Sequence, residues 1–191
     1  MNLPNQLTLL RIALSFGLIS FLLTPGLFSK LAALVLFTLA SFTDWWDGRL
    51  ARRQGLVSDF GILMDPIADK ILVLSALCAF VQLRVVPAWM VVLIAAREFI
   101  VTGLRLFALG KGTILPAEAA GKHKTVSQIV AISVTLVVLI LRELALVGSG
   151  RPEWVARGER GIWWLMLFTV ALTLISGISF LWRHRRIVLS L

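Results

Sequence analysis

The sequence predicts an all-α integral membrane protein with six transmembrane helices. Of its 191 residues, 59% are hydrophobic, and the mean hydropathy is +0.92. Ordinary soluble domains contain only about 45–50% apolar residues. Apolar stretches of roughly 20 residues, the length needed to cross a bilayer core of about 30 Å, alternate with short polar connections. We therefore expect one membrane domain over residues 1–191, with helices at 3–23, 30–52, 61–82, 88–109, 125–146 and 161–182.

The first apolar stretch is expected to be a retained helix rather than a signal peptide. It lacks a basic region at its start, carries Arg11 inside the apolar run and has no evident small-residue cleavage site. Asn5, Thr8 and Arg11 recur at helical spacing, so they share a face that points at something polar. The alternative is that this polar face marks an interfacial N-terminal helix.

The second and third helices are predicted to bring four aspartates to one membrane face. The second helix follows the breaker Pro25-Gly26, and the distance from Lys30 to Asp44 along a helix is about 21 Å at about 1.5 Å per residue. Asp44 thus lies near the far face of the bilayer. The connection to the third helix is short, so Asp65, in the first turns of that helix, lies at the same depth.

The fourth helix places charged residues inside otherwise apolar sequence. Arg97, Glu98 and Arg105 fall within it, and each such charge costs about 2.5–3.5 kcal/mol on insertion scales. Residues paying that cost are usually functional or paired. The two arginines are eight residues apart and share a face, while an internal ion pair of Glu98 with an arginine is the alternative explanation.

The fifth and sixth helices are separated by a connection, residues 142–160, that is predicted to be a solvated outer loop. It mixes arginines and glutamates, and Trp154 makes an interfacial helix a second possibility. Six spans put both termini on one side of the membrane. Lys and Arg are more frequent on the side of the aspartates, which predicts that this side and both termini are cytoplasmic.

The charge balance favours a membrane partner over nucleic acid. The formal net charge is +9, but the basic residues are spread over connections between apolar spans instead of forming one basic face. Anionic lipids and phosphorylated substrates are the expected partners, and no nucleic acid is expected. The single cysteine, Cys78, excludes an intramolecular disulfide and is predicted to be a small core residue.

The aspartates themselves predict a metal site. If both segments are helical, positions 44, 47, 48 and 51 lie on one face, and positions 61, 65 and 69 lie on another. Four clustered carboxylates require a cation, and oxygen ligands suit a hard divalent ion such as Mg²⁺ or Mn²⁺. The small residues Gly48, Ala51 and Gly61 leave room for a ligand beside them. The alternative is a solvated loop whose aspartates are neutralised by the neighbouring arginines.

The pattern D-x2-D-G-x2-A-R-x8-G-x3-D-x3-D, from Asp44 to Asp69, resembles without a mismatch the signature of the CDP-alcohol phosphotransferase family of membrane phospholipid-synthesising enzymes. The resemblance implies that Asp44, Asp47, Asp65 and Asp69 coordinate a metal pair and that Asp69 is also the general base. It further implies a CDP-binding set, which consists of Asn5, Thr8, Asp47, Gly48, Ala51, Arg52 and Gly61.

Further stretches resemble the bacterial family members whose acceptor alcohol is sn-glycerol 3-phosphate. They are residues 2–12, 65–70, 96–105 and 121–125, so the resemblance covers the chain well to about residue 130. It implies CDP-diacylglycerol as the donor, a homodimer and a place in the bacterial cytoplasmic (inner) membrane, with the active site facing the cytoplasm.

The acceptor is expected to bear a phosphate because positive charge gathers on the side of the aspartates. Arg97, Arg105, Lys122 and Lys124 are the predicted acceptor-phosphate ligands. The alternatives within the family are a cardiolipin synthase and a phosphatidylinositol-phosphate synthase. A divalent-cation transporter is the alternative from another class, but it should carry polar residues along several spans, and the last two spans are nearly free of them.

Overall fold

The computed structural model describes residues 3–54, 59–111, 119–147 and 153–185, and these residues form six α-helices without a β-strand. The helices are α1 (Leu3–Leu23), α2 (Leu27–Gln54), α3 (Asp59–Gln82), α4 (Ala88–Gly110), α5 (Ala119–Val147) and α6 (Glu153–Arg183). The expected all-α class and the order of the helices are confirmed.

The helix boundaries differ most from expectation in the second half of the chain. The predicted outer loop at 142–160 is wrong for most of its length, because α5 continues to Val147 and α6 already begins at Glu153. The charged start of α6 is helical and carries an i,i+4 ion pair between Glu153 and Arg157, at 3.0 Å. Likewise α5 begins at Ala119, so the end of the predicted polar connection is its first turns.

The helices pack in two groups that share an apolar core. Helix α1 packs on α2 and α3, α6 packs on α5 and α4, and contacts of α2 with α5 and of α3 with α4 join the groups. Each helix contributes fully or almost fully buried apolar side chains, such as Leu18, Phe37, Phe80, Met90, Ile132 and Met166. In lipid, close packing of this kind and polar contacts between helices are what hold a bundle together.

Lys30 fixes the end of α1 to the start of α2. Its side chain is buried, and Nζ donates to the carbonyl oxygens of Leu22 at 2.5 Å and Thr24 at 2.8 Å. These carbonyls lie at the C-terminal end of α1, where backbone acceptors lack helical partners. Gly26, with φ of 107°, supplies the turn between the two helices. Lys30 is therefore a structural cap at the end of α2 remote from the aspartates.

The surface of the bundle suits a membrane. Within the described residues, three segments are long and apolar enough to cross a bilayer, Gln6–Leu23, Lys124–Leu146 and Glu153–Arg183, and Leu27–Thr43 is a shorter apolar helix. Helices α3 and α4 are not among them, since they carry the charged residues described below. Large apolar side chains such as Phe28 and Trp182 point outward. Cys78 is also exposed, so its predicted core position is wrong.

Candidate active site

Helix α3 carries two aspartates of the motif, and α1 supplies a hydrogen-bond donor to each. Thr8 Oγ1 donates to Asp65 Oδ1 at 2.5 Å, and Arg11 Nη1 donates to Asp69 Oδ1 at 2.6 Å. Asp65 and Asp69 are one helical turn apart, as are Thr8 and Arg11, so the two pairs form successive rungs between the helices. The predicted polar face of α1 is confirmed at these two residues, and the carboxylates are what it faces.

Arg11 is a site residue that was not predicted from the sequence. Its helical spacing from Thr8 was the signal that could have identified it. The Arg11 side chain is fully buried, whereas that of Asp69 is 46% exposed. A buried guanidinium next to a half-exposed carboxylate is a charge-assisted contact with a planar, fixed geometry. It holds one oxygen of Asp69 against α1 and orients the carboxylate at the edge of the bundle interior.

The other half of the motif lies on α2. The backbone is helical through positions 44–54, which confirms the helical spacing assumed for this segment. The side chains of Asp44, Asp47, Ala51 and Arg52 lie outside the described part of the structure, as does that of Asn5 on α1. Gly61, on α3, is described and buried.

A cavity of about 580 Å³ opens beside the two aspartates of α3. Helices α3, α4 and α5 all line it, and its polar wall carries both acidic and basic side chains. These charged residues are Asp65, Asp69, Lys70, Arg97, Glu98, Arg105 and Lys124. The structure thus brings three of the four predicted acceptor-phosphate ligands into one cavity with two predicted metal ligands. The fourth, Lys122, is on α5, but its side chain lies outside the described residues.

Glu98 is the centre of the charged network in this cavity. It is buried, and Oε1 accepts a hydrogen bond from Lys124 Nζ and lies 3.4 Å from Arg97 Nη1. Its other oxygen lies 3.9 Å from Lys70 Nζ, and Gln128 Nε2 is 3.5 Å from Oε1. An internal ion pair of Glu98, the alternative raised by the sequence, is therefore confirmed, with a lysine of α5 as the nearest partner.

The cationic side chains of this network differ in how many of their N–H donors remain available to a ligand. Lys124 is buried against Glu98, so part of its donor capacity is already used. Arg97 Nη2 donates to Ser176 Oγ on α6 at 2.9 Å. The guanidinium of Arg105 instead lies 5.2 Å from the centre of the Phe180 ring, a contact that uses none of its N–H donors. Arg105 is thus the basic residue of this wall with the clearest capacity for a new anion.

The donor set fits a hard divalent cation, although the described side chains include no group of three or more His, Cys, Asp or Glu residues. The carboxylates of Asp65 and Asp69 face a cavity and offer only oxygen, which Mg²⁺ and Mn²⁺ prefer. Two carboxylates are too few for a protein site, and the motif contains two more aspartates, on α2, whose side chains lie outside the described residues.

Similarity to known proteins extends over nearly the whole chain and identifies its family. The sequence model of the CDP-alcohol phosphatidyltransferase family matches residues 1–175. A CDP-diacylglycerol–glycerol-3-phosphate 3-phosphatidyltransferase of Bacillus subtilis is 46% identical over 71% of this chain and 76% of its own length. A protein of the same name from Rickettsia felis is 38% identical over 94% of this chain and 93% of its own.

A probable phosphatidylglycerophosphate synthase of Mycobacterium tuberculosis is 38% identical over 97% of this chain and 82% of its own length. The similarity of this relative and the R. felis protein extends well beyond residue 130, where the resemblance seen in the sequence faded. The residues matched by the family model include the whole aspartate motif and all the residues that line the cavity. The chain belongs to the CDP-alcohol phosphatidyltransferase family.

Proposed function

We propose that this protein transfers the phosphatidyl group of CDP-diacylglycerol to the primary hydroxyl of sn-glycerol 3-phosphate, giving phosphatidylglycerophosphate and CMP. The observation that carries the proposal is one cavity lined both by motif carboxylates and by Arg97, Arg105 and Lys124. Transfer to a phosphate-bearing alcohol needs both kinds of residue within reach of one another. The names of the relatives in B. subtilis and R. felis support the same donor and acceptor.

The metal ligands in this proposal are Asp44, Asp47, Asp65 and Asp69, which would hold Mg²⁺ or Mn²⁺, two ions in all. Ions held there would neutralise charge on the pyrophosphate and would polarise the phosphorus under attack. The role of the protein is to hold these carboxylates at fixed positions. Thr8 and Arg11 contribute to that by holding one oxygen each of Asp65 and Asp69.

Asp69 is the proposed general base. The acceptor hydroxyl oxygen forms a bond to the phosphorus that carries the diacylglycerol, and the bond from that phosphorus to the bridging oxygen breaks, releasing CMP. The hydroxyl proton passes to a carboxylate oxygen of Asp69. The half-exposed position of Asp69 at the cavity gives it access to the acceptor, and Arg11 keeps its carboxylate oriented.

The CDP moiety is assigned to the small-residue faces of α2 and α3. Gly48, Ala51 and Gly61 are assigned there because residues with small or no side chains let a ligand approach the backbone, and Arg52 and Asp47 are assigned the polar contacts. Asn5 and Thr8 are assigned to the same nucleotide site from α1. The buried Thr8 hydroxyl already contacts Asp65, so we assign it the second role of coupling the nucleotide pocket to the metal ligands.

The acceptor phosphate is assigned to Arg97, Arg105, Lys122 and Lys124. Each hydrogen bond from such a cation to phosphate contributes roughly 1.5–3 kcal/mol. A planar arginine can donate two parallel bonds, and Arg105, whose guanidinium contacts the Phe180 ring and so keeps its N–H donors available, is the leading candidate. Glu98 offsets part of the positive charge of the cavity.

We place the protein in the cytoplasmic membrane of a bacterium as a homodimer with six spans, with both termini and the site on the cytoplasmic side. This placement lets the site receive CDP-diacylglycerol from the bilayer and a water-soluble acceptor from the cytoplasm. The charges in α3 and α4 are accommodated because they face the cavity and each other rather than lipid.

The decisive test is identification of the product. Purified protein is given CDP-diacylglycerol and Mg²⁺ or Mn²⁺, and CMP release is measured with glycerol 3-phosphate, inositol 3-phosphate, serine or phosphatidylglycerol offered separately. Phosphatidylglycerophosphate formed only with glycerol 3-phosphate is the expected result. Release with phosphatidylglycerol alone would establish a cardiolipin synthase, and release with serine alone would leave the basic cluster without a role.

A further inference from the structure

We infer that the α6 segment at residues 176–180 positions the two arginines of α4 that are assigned to the acceptor phosphate. This inference rests on the proposed function. The segment lies outside the aspartate motif and contains no charged residue. Three of its side-chain positions nevertheless meet Arg97 or Arg105, and each meets it in a different way.

Ser176 holds the end of the Arg97 side chain. Its Oγ accepts a hydrogen bond from Arg97 Nη2 at 2.9 Å, and Ser176 is only 4% exposed. A buried hydroxyl that bonds to a guanidinium restricts the rotation of the planar group. Because Arg97 also contacts Glu98 through Nη1, its guanidinium is held from α6 on one side and from α4 on the other.

Gly177 makes room for the stem of the same arginine. A Cβ atom at this position would lie 2.7 Å from Arg97 Cγ and 3.3 Å from Nε. Cγ is close to the backbone of α4, so it cannot move aside as the tip of a flexible side chain would. The absence of a side chain at 177 therefore allows the path that Arg97 takes towards the cavity.

Phe180 supports the second arginine. Its ring is 2% exposed and lies 5.2 Å from the guanidinium carbon of Arg105. A cation over an aromatic face is attracted to the ring without using its N–H donors. Phe180 thus orients Arg105 while leaving its donors available for an anion in the cavity.

The first experiment measures steady-state kinetics of Gly177→Ala and Ser176→Ala. We expect the KM for glycerol 3-phosphate to rise about 10-fold in each, because an Arg97 side chain that is no longer held in place makes a weaker charge-assisted bond to the acceptor phosphate. The kcat and the KM for CDP-diacylglycerol should change less than about twofold. Gly161→Ala is the matched control for the glycine, because it is on the same helix with no atom within 4 Å of the added Cβ. Thr169→Val is the control for the serine, since this buried hydroxyl bonds to Leu165 O of its own helix.

The second experiment does not depend on the reaction. Thermal unfolding is compared for wild type, Gly177→Ala, Arg97→Ala and the double variant. Alanine is normally favoured over glycine inside a helix, so Gly177→Ala should lower Tm only while Arg97 Cγ is present and should raise Tm or leave it unchanged in the Arg97→Ala background. A loss of Tm in both backgrounds would overturn the contact.

The two experiments separate the failure of this inference from that of the proposed function. Reversal of the Tm effect with an unchanged KM for glycerol 3-phosphate would show that α6 packs on Arg97 but does not serve acceptor binding, which overturns the inference. If wild type does not use glycerol 3-phosphate at all, the proposed function fails, and the acceptor role of this segment fails with it. The Tm comparison would then report on the contact alone. Should Gly177→Ala not fold, Ser176→Ala still decides the kinetic question.

Discussion

Neutralising Glu98 is expected to destabilise the protein far more than neutralising a glutamate that makes an equivalent surface pair. Glu98→Gln keeps the size of the side chain but removes the charge that faces Lys124, Arg97 and Lys70. The side chains of Glu98 and Lys124 are only 8% and 7% exposed, so water compensates the lost carboxylate only weakly. The lysine would remain as a buried cation without its nearest counter-charge.

The magnitude follows from this burial. Removing one partner of a buried ion pair costs about 3–5 kcal/mol. For a chain of this length each kcal/mol corresponds to about 2–4 °C, so Tm should fall by about 6–20 °C. The control is Glu153→Gln, which breaks the 3.0 Å pair with Arg157 where the side chains are 88% and 72% exposed. Exposed pairs contribute about 0–1 kcal/mol, so the control should lose at most about 4 °C.

The assay is thermal unfolding of the detergent-purified protein, followed by the fluorescence of its seven tryptophans. The double variant Glu98→Gln/Lys124→Gln should regain part of the lost Tm, because it removes the buried cation together with the carboxylate. Equal losses for Glu98→Gln and Glu153→Gln would refute the reasoning, and so would a double variant less stable than Glu98→Gln alone.

Three further predictions concern the reaction. Chelation by EDTA should abolish CMP release and Mg²⁺ or Mn²⁺ should restore it, whereas full turnover in EDTA would contradict a metal site at the aspartates. Asp69→Asn should lower kcat by about 10²–10⁴-fold and leave binding of CDP-diacylglycerol largely intact, while Asp65→Asn should weaken that binding as well. An Asp69→Asn variant that retains more than about a tenth of the wild-type rate would exclude Asp69 as the general base. Arg105→Ala should raise the KM for glycerol 3-phosphate by about 10- to 150-fold and change that for CDP-diacylglycerol little, as expected for one or two lost charge-assisted bonds. Lys111→Ala is the matched control for Arg105, since Lys111 is exposed at the end of α4 and lies over Phe107 outside the cavity lining.

The sequence by itself determined the class of fold, the positions of the helices along the chain and the family. These are local properties. An apolar stretch of sufficient length predicts a helix, and the motif from Asp44 to Asp69 is a pattern within 26 consecutive residues. The polar face of α1 was also readable, because Thr8 and Arg11 are three residues apart. Helix ends were less well determined, since the charged start of α6 has the composition of a loop but is helical in the structure, where the exposed pair of Glu153 with Arg157 adds only weak support.

Only the tertiary structure decided how the charges are shared. Lys124 has the charged side chain expected of a phosphate ligand, but its ammonium is paired with Glu98, which lies 26 residues earlier on another helix. The bond from Arg97 to Ser176 spans 79 residues, and the bond from Arg11 to Asp69 spans 58. Such partners have no fixed spacing in the sequence, because they depend on which helices pack together and at what rotation. A serine and a glycine in an apolar helix therefore gave no signal until α6 was seen to pack against the arginines of α4.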